Sequence, residues 1–189
     1  MVTAGAWLPA LLGGAFPKLL SVYRQTLYWF APDDAAAFAP GRFPIFIWIH
    51  GAGEADYFYG LPVVTEGVKL ATEQFTETAD PDHTRREVSA AEIERMYETH
   101  VRGRISGVGV RCLRAETCLY TVTPDSGFVI DQHPDSERVI VASPCSGHGF
   151  KHSAAIGEAI AELVTAGKSR LDLAPFSLAR FTAIHGRTS

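Results

Sequence analysis

Residues 138–157 read R-V-I-V-A-S-P-C-S-G-H-G-F-K-H-S-A-A-I-G, and the parsing of that stretch decides the fold. An apolar run, Val139 to Ala142, ends in a loop that holds Gly147 and Gly149. Lys151 follows, and then Ile156, Ile160, Leu163 and Val164 recur at helical spacing on one face. The pattern predicts a buried strand that turns through glycines into a helix. Such a turn presents backbone N–H groups and a positive dipole end to whatever lies above it. Lys151 adds a full positive charge at the same place. That is chemistry for an anion or for the electron-rich edge of a cofactor. An ordinary strand–loop–helix connection with a surface lysine fits the same letters, because glycines are common where loops enter helices.

Away from this stretch the chain reads as short strands and turns. Ser21 to Phe30 has strand composition, Asp33 to Gly41 is a turn region, and Pro44 to His50, Tyr57 to Gly60 and Val68 to Thr72 are three more strands. Regular strands between turn signals predict an antiparallel sheet. Asp80-Pro81-Asp82 breaks the chain, and Ser89-Ala90-Ala91-Glu92 is a capping box that opens a helix with Ile93, Met96, Tyr97 and His100 on its apolar face. Cys118 to Thr123 and Phe128 to Asp131 read as short strands. Met1 to Trp7 looks like the end of a buried strand turning into a helix, and the residues after Phe181 like a loose tail.

Composition bounds the function classes. The chain has 189 residues, 47% hydrophobic and 20% charged, enough for a globular core. A net charge of −4 without a Lys/Arg run offers no electrostatic case for nucleic acid or a membrane surface. No apolar stretch is long enough to span a bilayer, and Met1 to Phe16 lacks the basic start of a signal peptide. Three cysteines without secretory context point to a reducing compartment, with the cytoplasm as default.

The run S-G-H-G-F-K at 146–151, with C-L-Y-T at 118–121 upstream and D-L-A-P-F-S-L-A-R-F at 172–181 downstream, resembles the monomeric sarcosine oxidase / N-methyl-tryptophan oxidase family. These are FAD-dependent amine oxidases. The resemblance runs from A-G-A-W at 4–7 to R-F at 180–181, and several motifs in family order are far more specific than one. It implies an α/β (α+β) fold of the kind found in the C-terminal half of a two-domain amine oxidase. Residues 1–17 and 123–181 would belong to the FAD-binding domain, 18–122 to a mainly antiparallel substrate domain, and 182–189 to a tail. The glycine-rich G-x-G-x-x-G turn that receives the ADP part of the flavin is missing, since Gly107-Val108-Gly109 lacks the third glycine. A separate N-terminal ADP-binding half is therefore an expected partner, beside the N-methyl amino acid and O2.

The same resemblance assigns residues. Cys118 would be joined to the flavin by a thioether, a task that suits a nucleophilic thiolate. Lys69, in the pattern Y-G-x-P…G-x-K at 59–69, would sit over the flavin and favour electron transfer to O2 through its fixed charge. Lys151 would pair with the substrate carboxylate, together with an arginine from the other half. Tyr59 and Tyr120 match pocket-lining aromatics. Gly147, His148, Gly149 and Phe150 would lie near the flavin ring, and Gly5 and Trp7 belong to a segment that contacts FAD in relatives. From the residues alone, Cys118 also reads as a buried inert thiol, Lys69 as a solvated strand lysine, His148 as a satisfied structural histidine and the tyrosines as packing. Cys112 and Cys145 are core or loop thiols. One departure stands out: relatives commonly carry a histidine four residues after the oxygen-site lysine, and here that position is Glu73. The substrate is therefore not inherited with the family.

Three other readings compete. Cys145-x-x-His148 has zinc-like spacing, but the five-residue gap between Cys112 and Cys118 is a poor second pair. Ile47 to Gly53 imitates the strand and H-G-x-G loop of serine esterases, yet no G-x-S-x-G elbow accompanies it. A non-catalytic remnant, or one half of a split flavoprotein, would expose faces that favour association.

Overall fold

The computed structural model describes residues 1–181. The tail expected after Phe181 lies outside the described residues. From its start the chain makes one parallel bridge, Val2 to Val141, then a 3-10 turn at Gly5–Trp7 and two short helices, α1 (Leu8–Leu12) and α2 (Phe16–Leu19). Four strands follow: β1 (Ser21–Pro32), β2 (Phe46–Ile49), β3 (Tyr57–Leu61) and β4 (Val68–Ala71). Helix α3 (Ala90–Met96) continues into a wider π turn at Tyr97–Val101. Then come β5 (Val108–Val122), β6 (Val129–His133), β7 (Ser136–Ser143), a 3-10 turn at Phe150–His152 and helix α4 (Ser153–Ala166). Among the described residues no helix is long and apolar enough to cross a membrane. The chain divides into two units, one of Tyr23–Leu119 and one of Met1–Val22 with the residues from Tyr120 onward.

The Tyr23–Leu119 unit is built on a five-stranded sheet in the order β2-β3-β4-β1-β5. The pairs β1–β4, β2–β3 and β3–β4 are antiparallel, as the turn spacing predicts. One face is core: Tyr28, Phe30, Phe58, Val68 and Leu70 pack against Met96 and Val101 of the helical segment. The register puts Gly60 opposite Phe46, and a Cβ on Gly60 would come within 2.5 Å of the Phe46 ring. The glycine of Y-G-x-P is thus set by close packing of that ring over the strand. The capping box forms as expected, with Glu92 N donating to Ser89 Oγ and Ser89 N donating to Glu92 Oε2. Arg24 reaches the same carboxylate at 2.7 Å and ties α3 to β1. The sequence predicts only a short strand at 118–123, whereas β5 begins at Val108. Its first ten residues carry two arginines, a glutamate and a glycine, so their extended shape comes from lying beside β1 rather than from local preference.

The other unit centres on the β6–β7 hairpin, registered Val129↔Ser143 and Ile130↔Ala142. Both faces of this ribbon are covered. Val129 and Val141 pack with Leu8, Phe16, Leu20 and Phe181, while Ile130 and Ala142 pack with Phe128, Ile156 and Ile160. Burial on both sides explains why Val139 to Ala142 is a continuous apolar run rather than an alternating one. Val2 N donates to Ile140 O at 2.7 Å and Ala142 N to Val2 O at 2.9 Å, so the expected strand end before Trp7 is present as a one-bridge pairing. On α4 the expected apolar face holds for Ile156 and Ile160, which are buried, but Val164 is 63% exposed. At about 100° per residue Val164 lies roughly 80° round from Ile156, past the rim of the buried stripe.

Candidate functional site

In the sheet unit the candidates lie on the face opposite the core. Cross-strand partners in an antiparallel sheet point to the same side. The pairs Ile47↔Tyr59, Ile49↔Tyr57, Tyr59↔Ala71 and Leu61↔Lys69 therefore define that face, with Phe58, Val68 and Leu70 on the other. Lys69 also pairs with Trp29 of β1, and its Nζ lies 5.4 Å from the centroid of the Trp29 ring. Arg114 of β5 covers the same ring at 4.7 Å and is engaged by Glu66 and Glu116. Two residues beyond β4, Glu73 continues the outward row of Lys69 and Ala71 and accepts a hydrogen bond from Tyr57 Oη at 2.9 Å. Burial, and then that bond to Glu73, push the Tyr57 hydroxyl well above the usual phenol range.

Cys118 responds to both charges in this row. Burial raises its thiol above the ordinary cysteine value, the Lys69 ammonium pulls it back down, and the Glu73 carboxylate raises it again. Three residues that are 45 or more positions apart in one case, and four apart in the other, thus share one electrostatic neighbourhood. Tyr59 stands in the same outward row. Tyr120 lies two residues after Cys118 on β5 and belongs to the second unit. Tyr57 is the residue that sequence reading missed; its signal was the alternation Tyr57-Phe58-Tyr59, which puts both tyrosines on the face away from Phe58.

The second group sits on the loop from β7 to α4. Ser146 and Gly147 both take left-handed backbone conformations, φ 47° and 81°. Ser146 N donates to Thr121 O at 2.8 Å and its Oγ to Gly127 O at 2.9 Å, so the turn is pinned to neighbouring backbone. A Cβ on Gly149 would lie 1.5 Å from Pro144 O, which restricts this position to glycine. His148 Nε2 is 2.9 Å from Ser126 O and its ring packs on Phe128 at 4.9 Å, so the imidazole is structurally engaged. Phe150 is 94% exposed, Lys151 is exposed, and Trp7 on the Gly5–Trp7 turn is 44% exposed. No side chain caps the start of α4. The 3-10 turn at Phe150–His152 runs directly into α4, with Ser153 N donating to Phe150 O, so the loop presents an ammonium and an aromatic side chain rather than a free helix end.

His50, which opens the esterase-like H-G-A-G run, is engaged elsewhere. Its Nε2 lies 3.1 Å from His100 Nδ1, with Arg104 3.4 Å from its other ring nitrogen. Burial, His50 and Arg104 together hold His100 below the ordinary imidazole range. Cys145 is raised by burial, and Cys112, raised likewise, is tied to backbone through Arg114 O.

Comparison with known proteins gives these residues a context. The family described as DAO, FAD dependent oxidoreductase, matches residues 1–163. The chain is 34% identical over 183 residues to the monomeric sarcosine oxidase of Bacillus sp. (strain NS-129), covering 95% of this chain and 46% of that protein. It is 35% identical over 183 residues to the N-methyl-L-tryptophan oxidase of Yersinia pestis (strain Pestoides F), covering 96% of this chain and 47% of that protein. The chain thus spans about half the length of the curated relatives it matches. Among solved structures it is similar in fold to NikD, an unusual amino acid oxidase essential for nikkomycin biosynthesis, in its open form, with a TM-score of 0.68 at 18% identity over 84% of this chain and 42% of that one.

Proposed function

The chain belongs to the FAD-dependent oxidoreductase family, and from that premise we propose that it serves the oxidation of a secondary N-methyl amine of the sarcosine or N-methyl-tryptophan type. O2 is the acceptor and water hydrolyses the imine that results, so the products are hydrogen peroxide, formaldehyde and the free amino acid. The observation that carries the reading is the grouping of Lys69, Cys118 and Tyr59 in the sheet unit, with Lys69 and Cys118 electrostatically linked.

The donor set fits a flavin. Cys118 is a half-buried thiol whose ionisation burial opposes and the Lys69 ammonium favours, and the β7–α4 loop offers a cation and exposed aromatic surface. The residues that would hold FAD are Cys118, which we assign to a covalent link, and Gly5, Trp7, Gly147, His148, Gly149, Phe150 and Lys151. When bound, FAD supplies the two-electron redox chemistry. Lys69 holds a fixed positive charge for the negative charge that develops as O2 is reduced. By the family resemblance Lys151 would meet the substrate carboxylate, and Tyr59 and Tyr120 are the aromatic residues assigned to its apolar part. An ADP-binding half supplied by a further segment or chain belongs to the same proposal, because no G-x-G-x-x-G turn is present in these 189 residues.

The test is an anaerobic titration of the protein purified from its own host with sarcosine, with N-methyl-tryptophan and with Nα-methyl-lysine. The reading expects loss of flavin absorbance with one of these amines, its return on admitting O2, and peroxide in equal amount. Flavin absorbance that no N-methyl amine bleaches would contradict it.

A further inference from the structure

We infer that the substrate carries a second cationic group and that Glu73 is the residue that selects it. The inference rests on the amine-oxidase reading above and narrows its substrate class. Glu73 stands four residues from Lys69 on the same outward row, a separation of about 13 Å along an extended chain. That is too far for the two to neutralise each other by contact, and among the described residues Glu73 enters no ion pair. Its one described hydrogen bond comes from the Tyr57 hydroxyl to Oε2, so Oε1 keeps its acceptor capacity.

Beside Lys69 and Cys118, the side chains that share the face of Glu73 on β3 and β2 are aromatic and aliphatic. Tyr57 and Tyr59 alternate on β3 beside it, and their partners Ile49 and Ile47 on β2 are each 73% exposed on the same face. A carboxylate flanked by aromatic rings and aliphatic side chains is a recognition surface for an ammonium or guanidinium on an alkyl stem. The charge is met by the carboxylate and the ring faces, and the methylenes by the isoleucines. A neutral or anionic side chain would leave Glu73 unpaired or repelled. The selected class is therefore N-alkylated diamines and N-methyl amino acids with a basic side chain.

The experiment is an equilibrium titration of the flavin-loaded protein, under anaerobic conditions with calorimetric readout, using N-methyl-1,4-diaminobutane and its near-isostere N-methylpentylamine. The wild type is expected to bind the diamine at least about tenfold more tightly, and Glu73→Gln, whose amide oxygen still accepts from Tyr57, to bind the two within about twofold. Flavin content of Glu73→Gln, read by absorbance, should equal that of the wild type. Equal binding of both amines to flavin-loaded wild type, or an undiminished preference in Glu73→Gln, overturns this inference alone. A purified protein that holds no flavin overturns the amine-oxidase reading and this inference with it.

Discussion

The outward face of the sheet and the β7–α4 loop solve the problem of placing side chains in different ways. On the sheet, Lys69, Tyr57 and Tyr59 are held by strand register, Glu73 follows two residues beyond β4 and is tied back by Tyr57, and the opposite face of the same strands is packed core. Side chains there can change without moving the backbone that aims them. On the loop, position depends on backbone geometry itself: Ser146 and Gly147 with positive φ, and Gly149 pressed against Pro144 O. The lesson is that substitutions on the sheet face should alter chemistry, and substitutions in the loop should alter fold.

Gly149→Ala gives the largest expected effect, because a Cβ would collide with backbone that has no room to yield. A loss of at least about 3 kcal/mol is expected, read as a fall in denaturation midpoint. Gly60→Ala is the matching change on the sheet. There the new methyl meets the Phe46 and Leu70 side chains, at 2.5 and 2.7 Å, and side chains can shift. About 1–3 kcal/mol is expected. Equal losses at the two sites would break the contrast between loop and sheet.

The sheet unit should also carry a distinct acid response. Burial alone would raise Glu92, but its bonds from Ser89, Arg24 and Arg85 outweigh that and hold it at about 2, against an ordinary 4.5. A carboxyl whose folded value is depressed stabilises fully above its unfolded value and loses that contribution as pH falls toward the folded one. Stability should therefore drop between about pH 4.5 and pH 2. Glu92→Gln should flatten that slope while lowering stability at pH 7 by about 1–3 kcal/mol. Denaturant titrations at a series of pH values check both.

The smallest effects are expected where only charge changes. In flavin-free protein, Lys69→Met removes the influence that lowers the Cys118 thiol, and Glu73→Gln removes one that raises it. Alkylation of Cys118 at fixed pH should slow in the first variant and quicken in the second, each by about two- to tenfold. Changes of the same sign would show that the two residues act through structure rather than charge.

Much of this was legible in the sequence. The capping box Ser89…Glu92, the strands beginning at Ser21 and Tyr57 and the glycine turn after Ala142 carry local signals that the structure repeats. The length of β5 was hidden because its charged first half is extended by a neighbour. The Tyr57–Glu73 bond was hidden because cross-strand register is a long-range fact, and Val164 fell outside the buried stripe because a face read from spacing has no sharp rim. The motifs singled out Lys69 and Cys118 as candidates; their electrostatic link required the fold.

The most direct test is a denaturing gel of the protein from its own host, viewed for flavin fluorescence before staining, with Cys118→Ser run beside the wild type. The account predicts a fluorescent band that carries these residues in the wild type and a dark one at the same mass in Cys118→Ser. A dark wild-type band, or fluorescence that persists in Cys118→Ser, would contradict the assignment of Cys118 to a covalent flavin.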